Sequence, residues 1–145
     1  MPEHRFQHPI EVRYGDLDPQ GHVNNAKYLT YFEQARIAYI NQLGLWQGES
    51  FLDLGVILAE ARITFLAPIL YGQRIQVEVW VSRLGNKSLT MEHRIIDKAD
   101  QKELAVGSTV LVTYIYHQSK SVPIPERWRQ IIASFEHLDP IAHSL

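Results

Sequence analysis

Apolar and polar residues alternate from Phe6 to Tyr14, with Phe6, Ile10, Val12 and Tyr14 on one side and Gln7, Glu11 and Arg13 on the other, which predicts a first strand. From Asn25 to Leu43 the period changes. Tyr28, Phe32, Ala35 and Tyr39 recur at spacings of four, three and four, flanked by Leu29, Ile40 and Leu43. That is the wide apolar stripe of an amphipathic helix, with Asn24 suited to its N-cap and Gly44 to its stop. After a loop rich in Gly, Ser and Asp, strand patterns take over. Ile57, Ala59, Ala61, Ile63 and Phe65 alternate with Glu60, Arg62 and Thr64 until Pro68 and Gly72 break the pattern. Ile75, Val77, Val79 and Val81 form a β-branched face opposite Gln76, Glu78 and Ser82. Gly85-Asn86 marks a turn into Leu89, Met91, His93 and Ile95, and the cluster from Asp97 to Lys102 marks another into the run from Leu104 to Tyr116. These four strands, joined by short turns, predict an antiparallel meander. Pro123 and Pro125 end it, and Glu126 to Phe135 predicts a short terminal helix.

A helix of about 19 residues spans roughly 28 Å and a strand of about 10 residues roughly 33 Å, so the helix can lie along the sheet and bury its whole stripe. The expected class is α+β, one helix layered on one sheet. One sheet face would then lack a helical cover. Trp80, on the otherwise polar face of its strand, is an apolar group that reads equally as one a partner subunit could bury and as a lone exposed Trp on a monomer.

Composition narrows the function classes. At 145 residues, with no repeat or linker, the chain is expected to form one domain over 1–145 and to bury a sizeable core. The absence of cysteine excludes a disulfide framework, a thiol nucleophile and a Cys-based zinc site. It also fits a cytoplasmic location. The segment Met1 to His8 lacks the apolar stretch of a signal peptide, and no apolar run approaches the length of a membrane span. A formal charge of −2 without a basic block argues against nonspecific nucleic-acid binding. The histidines include no His-Glu-x-x-His motif, so no metal site is expected. There is no Gly-x-Ser-x-Gly elbow and no phosphate-binding glycine loop.

The chemistry concentrates between Tyr14 and Arg36, where a polar loop with two carboxylates, Asp16 and Asp18, runs into the predicted helix. A helix N-terminus presents unpaired N–H groups and the positive end of the macrodipole, so it stabilises an oxygen that gains negative charge. An adjacent aspartate can act as base or nucleophile, and the pair supplies two of the parts acyl transfer needs. Taken alone, Asp18 before Pro19 also reads as an ordinary turn residue, Gly21 as a turn glycine and Glu33 as an ion-pair partner of Arg36.

The run Asp16-Leu-Asp-Pro-Gln-Gly-His-Val-Asn-Asn25, followed by Tyr28, Tyr31, Glu33, Ala35 and Arg36, resembles the hallmark of the hot dog fold acyl-CoA thioesterases of the 4-hydroxybenzoyl-CoA thioesterase-like family. Ile63 to Pro68, Tyr71-Gly72, Gly85 to Ser88 and Val122 to Pro125 resemble later landmarks, so the likeness covers roughly the whole chain. It implies a long central helix wrapped by a curved antiparallel sheet of about five strands, and hydrolysis of an acyl-CoA to free acid and coenzyme A. Coenzyme A would enter as part of the substrate, with no other cofactor. The resemblance puts Asp18 at the catalytic carboxylate and the N–H near Asn25 toward the thioester oxygen. His22, from its own chemistry, reads equally as a group that orients substrate or water or donates to Asp18 and as a turn residue satisfied by backbone groups. Gly21 would allow close approach, Asn24 would cap the helix, and Lys87 would be a candidate for the phosphates of coenzyme A. Tyr28, Phe32 and residues of Ile57–Phe65 would form the acyl pocket. Plant-type acyl carrier protein thioesterases are similar in this loop, with Gln20 standing where they carry Asn, so an acyl carrier protein is an alternative carrier. A hydroxyacyl-thioester dehydratase and a noncatalytic acyl-thioester binding protein are the other readings. The family implies a homodimer or homotetramer with active sites between paired subunits.

Overall fold

The computed structural model describes residues 5–46 and 50–143. Strand β1 (Phe6–Ile10) leads through a 3₁₀ turn (Tyr14–Asp16) to helix α1 (Asn25–Gln42). Strands β2 (Gly55–Phe65), β3 (Ile75–Leu84), β4 (Ser88–Asp97) and β5 (Glu103–Ile115) follow. A second 3₁₀ turn (Tyr116–Gln118), the two-residue β6 (Lys120–Ser121) and helix α2 (Glu126–Glu136) complete the order. The turn at 116–118 and β6 interrupt what reads in the sequence as a plain strand end.

Strand β1 is shorter than its alternation predicts. It pairs antiparallel with β3 from Phe6 opposite Val79 to Ile10 opposite Ile75, as an edge strand that tolerates Pro9. Beyond it the carboxylate of Asp16 accepts the Arg13 N–H at 3.1 Å, which curls the chain and leaves Tyr14 80% exposed.

The sheet runs β1-β3-β4-β5-β2, with β6 added to β5. The expected four-strand meander is therefore corrected. Only β3, β4 and β5 follow one another as neighbours, through the turn in which Gly85 N–H meets Ser88 O and the turn in which Asp97 N–H meets Lys102 O. Segment 66–74 is too long for the two- to five-residue loop of a hairpin, and it is fastened elsewhere. The Leu66 and Ala67 N–H groups both donate to Leu104 O, and Ile69 O accepts from Val23 N–H. That crossover sends β2 to the far edge.

Contacts group the chain into two compact units, one comprising residues up to Tyr39, Ile63–Val79 and His93–Gly107, the other Ile40–Arg62, Trp80–Glu92 and residues from Ser108 on. In the first, the α1 stripe is buried as its spacing predicts. Tyr28, Phe32, Ala35 and Tyr39 are at most 2% exposed, the predicted flanking Leu29 stays at 37%, and Tyr31, which the spacing did not include, is buried with them at 2%. Tyr39 meets Phe6 of β1 edge-on at 5.7 Å, Tyr28 meets Phe65 of β2 at 4.8 Å, and Phe32 stacks on His93 of β4 at 4.4 Å. Glu78, which alternates with buried Val77 and Val79, points the other way into a polar ladder across four strands. Gln7 donates to it, Arg94 pairs with it at 2.5 Å, and Arg94 also pairs with Glu103.

In the second unit α2 buries Trp128, Ile132 and Ala133, and the Trp128 indole N–H donates to Leu45 O at 3.0 Å. Past Val79, where pairing with β1 ends, the β3 edge is taken by the C-terminal segment. Val81 N–H donates to Glu136, Leu84 N–H donates to His143 Nδ1, and His143 N–H donates to Leu84 O. Trp80 is half-buried within its own chain, so it is not the bare apolar group the strand pattern suggests.

His93 has a measurable consequence. It is 1% exposed, and neither ring nitrogen has a hydrogen-bond partner among the described residues. Burial, reinforced by the nearby Arg36 charge, pushes its pKa down to about 3. An unfolded chain takes up this proton near 6.5. Between those values the unfolded state binds more protons than the folded one, so stability rises with pH there and is lost as pH falls below about 6.5. The slope from this one group approaches about 1.4 kcal/mol per pH unit. His93→Leu is expected to reduce the stability difference between pH 7 and pH 5, measured by urea unfolding, by about 2 kcal/mol. An unchanged difference would contradict the assignment.

Candidate active site

The polar loop before α1 is a short closed structure. Asp18-Pro-Gln-Gly21 forms a turn with Gly21 N–H on Asp18 O at 3.0 Å, and Gly21 adopts φ +82°, a left-handed conformation that disfavours side chains. Leu17 and Val23 face each other across the loop, with Asp18 N–H on His22 O at 2.8 Å. The outgoing strand is pinned to the β2–β3 connection. Val23 donates to Ile69 O, and His22 bridges Leu70. Val23 and Ile69 are buried beneath it.

Within this frame the two aspartates have different surroundings. Asp16 is 1% exposed and accepts from Tyr31 Oη at 2.8 Å, from Arg13 N–H at 3.1 Å and from the Arg13 guanidinium at 3.2 Å, while its main-chain oxygen accepts from Asn24 N–H. Burial acts to raise its pKa, but the Arg13 and Tyr31 hydrogen bonds together with the Arg13 charge outweigh it, and the carboxyl lies below its ordinary value. Its effect on Tyr31 is reciprocal. Burial first, then the hydrogen bond and charge of Asp16, holds that phenol protonated. Every feature of Asp16 is that of a buried fastening between loop and helix. Nothing in the local sequence marks Tyr31, fifteen positions on, as its partner; only the helical placement of Tyr31 on the stripe would have suggested it.

Asp18 is half-buried and oriented by one oxygen only. Its Oδ1 accepts from Gln20 N–H at 2.9 Å and from His22 N–H at 3.3 Å. Its Oδ2 accepts no hydrogen bond among the described residues, so one oxygen fixes the carboxylate while the other is open to a water or a carbonyl carbon. The expected donation from His22 to Asp18 comes from the main chain instead. The tight turn brings the two backbones together, and among the described residues no hydrogen bond joins the His22 ring to Asp18.

The helix start is equally specific. Asn24 Oδ1 accepts the Ala26 N–H at 2.9 Å, the N-cap geometry its position predicts, and Asn24 O accepts the Lys27 N–H at 2.9 Å. Asn25, the first residue of α1 and exposed, is left with an N–H that meets no acceptor among the described residues. Tyr28 is 2% exposed, and its hydroxyl lies close enough to Asp18 to feel its charge. Burial, chiefly, raises its pKa; a hydrogen bond with the Ile69 main chain acts against this and the Asp18 charge adds to it.

The sequence-derived site residues Asp18, Gly21, His22, Asn24, Asn25 and Tyr28 thus gather in one unit, around one loop and one helix start. Lys87 belongs to the other unit, in the β3–β4 turn. That turn is firmly mounted, since Lys87 O accepts from Thr113 N–H and buried Arg129 donates to Gly85 O and Asn86 O. Tyr28 and Phe32 are core residues in the single chain, so among the expected pocket residues it is Phe65, 47% exposed, that presents apolar surface on this side, joined by Leu70 at 48%. A groove of about 600 Å³, lined by Val12, Tyr71, Gln73, Arg74 and Lys98 among others, lies beside the loop and does not include Asp18. No group of three His, Asp or Glu side chains is placed to hold a metal among the described residues. No helix there is long and apolar enough to cross a membrane.

Comparison with known proteins gives this arrangement a lineage. Residues 12–132 match the model of the thioesterase-like superfamily. The 1,4-dihydroxy-2-naphthoyl-CoA hydrolase of Synechococcus elongatus is 28% identical over 139 residues, covering 92% of this chain and 99% of the relative. The acyl-CoA thioesterase YbgC of Haemophilus influenzae is 26% identical over 95% of this chain and 99% of its own length. Among solved structures, a thioesterase of Thermus thermophilus, crystallised with coenzyme A and zinc, is 34% identical with a TM-score of 0.77, covering 92% of this chain and 95% of that one. With a family match across the greater part of its length and the hot dog fold of these neighbours, the chain belongs to the thioesterase-like superfamily and is a thioester hydrolase.

Proposed function

We propose that this protein hydrolyses acyl-CoA thioesters, with Asp18 as general base or nucleophile and the Asn25 N–H polarising the carbonyl. One observation carries the reading: a carboxylate fixed through Oδ1 and open at Oδ2 stands in the loop that ends at a helix N-terminus whose first N–H has no acceptor among the described residues. Such a donor can contribute roughly 3 kcal/mol to a transition state with a developing oxyanion. As base, Asp18 takes the proton of a water whose oxygen attacks the carbonyl carbon. The C–S bond then breaks and coenzyme A leaves as thiolate, which needs no strong acid. As nucleophile, Asp18 displaces the thiolate to give a mixed anhydride that water cleaves. Gly21 and Asn24 shape the approach, and His22 orients substrate or water. The Lys87 ammonium would meet phosphates of coenzyme A. The scheme calls for no metal or redox cofactor. The working form is a homodimer at least, and a tetramer is compatible with it; the exposed Phe65 and Leu70 are apolar surface that a second chain would cover. Coenzyme A is preferred to an acyl carrier protein because the thermophilic relative was crystallised with it and two further relatives carry CoA substrates in their names.

A thiol-release assay tests this, run over short, medium, long and aromatic acyl-CoAs with an acyl carrier protein thioester alongside. Free thiol from at least one acyl-CoA, exceeding that from the carrier protein, is expected. Loss of water from a 3-hydroxyacyl-CoA without thiol release would point to a dehydratase. Binding without any release would point to a noncatalytic protein.

A further inference from the structure

The β3–β4 turn is held by its carbonyl oxygens. Gly85 O accepts from the Arg129 guanidinium at 2.7 Å, and Asn86 O accepts from it at 3.2 Å and from the Ile124 N–H at 2.9 Å. Lys87 O accepts from the Thr113 N–H at 3.0 Å. The peptides here are trans, and in a planar trans peptide the N–H points opposite to the C=O that shares its plane. Drawing the Gly85 and Asn86 carbonyls inward therefore turns the Asn86 and Lys87 N–H groups outward. Neither N–H has an acceptor among the described residues, and both residues are exposed. We propose that these two N–H groups and the Lys87 ammonium form a nest for a phosphate, and that Arg129 is the residue that positions it. The proposal rests on the acyl-CoA reading above and adds to it the main-chain donors and the side chain that aims them.

Charge suits Arg129 to that role as much as reach does. It is 7% exposed, and among the described residues it forms no ion pair with a carboxylate. Its guanidinium bonds carbonyl oxygens alone, those of Gly85, Asn86 and, at 3.3 Å, Pro140. A buried guanidinium normally has a carboxylate to offset its charge. Here the charge acts on the oxygen ends of two successive peptide dipoles, and a cation at that end strengthens the N–H at the other as a donor. Direction and polarisation thus both favour an anion at the outer side of the turn. A phosphate has oxygens enough to accept from both N–H groups and from Lys87 together. Coenzyme A offers two such groups, its diphosphate and its ribose phosphate. A lysine at 129 would keep the charge but lose the fixed fork that spans the two carbonyls.

Coenzyme A added to the unmodified chain, followed by ¹H–¹⁵N NMR, is expected to move the Asn86 and Lys87 amide protons downfield, the mark of a new charge-assisted hydrogen bond. Pantetheine, which has no phosphate, is expected to leave both in place. Dephospho-coenzyme A, which keeps the diphosphate and lacks the ribose phosphate, identifies which of the two occupies the nest. The measurement needs no turnover, so its failure and that of the hydrolytic reading are separable. Coenzyme A that binds without moving either amide overturns the nest while hydrolysis stands; failure of coenzyme A to bind overturns the nest and the acyl-CoA reading together. Arg129→Met keeps the apolar stem and removes charge and fork. It is expected to raise KM for an acyl-CoA about tenfold, with kcat nearly unchanged and KM for the same acyl group on pantetheine unmoved. A purely structural Arg129 would affect both substrates alike; that result, or no change with either, overturns the positioning role. Should Arg129→Met not fold, Arg129→Lys takes its place, with the same rise in KM expected for the acyl-CoA alone and the same results overturning the role.

Discussion

Asn25→Pro is expected to lower turnover by about a hundredfold, the lower range for removing one oxyanion donor, while Asn25→Ala stays close to the unmodified protein. Proline lacks the N–H, and its fixed φ suits the first position of a helix, which Asn25 occupies. The cap survives, because Asn24 Oδ1 and Asn24 O use the Ala26 and Lys27 N–H groups rather than that of Asn25. Nor does alanine forfeit packing, since the Asn25 side chain is exposed. Melting temperatures establish that both variants fold, and kcat then separates them. Equal rates would remove Asn25 as the donor. Ala26 would be a poor replacement, its N–H being already committed to the cap.

How much of this was legible in the sequence depended on whether the determining interactions were local. The α1 stripe, the Asn24 cap and the β-branched face of β3 follow from spacing alone, because each is set by neighbours within a turn or two of chain. The position of β2 was not legible. Its alternation predicts a strand but carries no information about which strand lies beside it, and the deciding bonds join Leu66 and Ala67 to Leu104. Nor does the alternation say how far the strand is buried: Ile57, Ala59, Ala61 and Phe65 are all exposed in the single chain. In the site, the loop and helix start could be picked out as chemistry, and the family likeness separated Asp18 from Asp16. The physical ground for that separation emerged only with the fold. Tyr31 and Arg13 saturate Asp16, while Asp18 keeps one oxygen open. Arg129, which holds the Lys87 turn through two carbonyl oxygens, sits on a terminal helix whose sequence reads only as amphipathic.

Asp18→Asn is expected to leave a folded, ligand-binding protein whose turnover falls by at least about a hundredfold, the lower range for losing a general base. The asparagine Oδ1 can keep the hydrogen bonds from Gln20 and His22, so the turn persists while charge and basicity vanish at the open oxygen. The matching change at Asp16 is expected to show the opposite pattern. Asp16→Asn disturbs a buried carboxylate that accepts three hydrogen bonds and lowers stability by about 2 kcal/mol, with turnover of the folded fraction far less affected. The most direct measurement is single-turnover thiol release by Asp18→Asn at saturating acyl-CoA, with binding verified using a nonhydrolysable thioether analogue. A protein that binds the analogue as the unmodified chain does, yet releases thiol at about one hundredth of its rate or less, is the predicted result; release at a near-normal rate would contradict Asp18 as the group that drives hydrolysis.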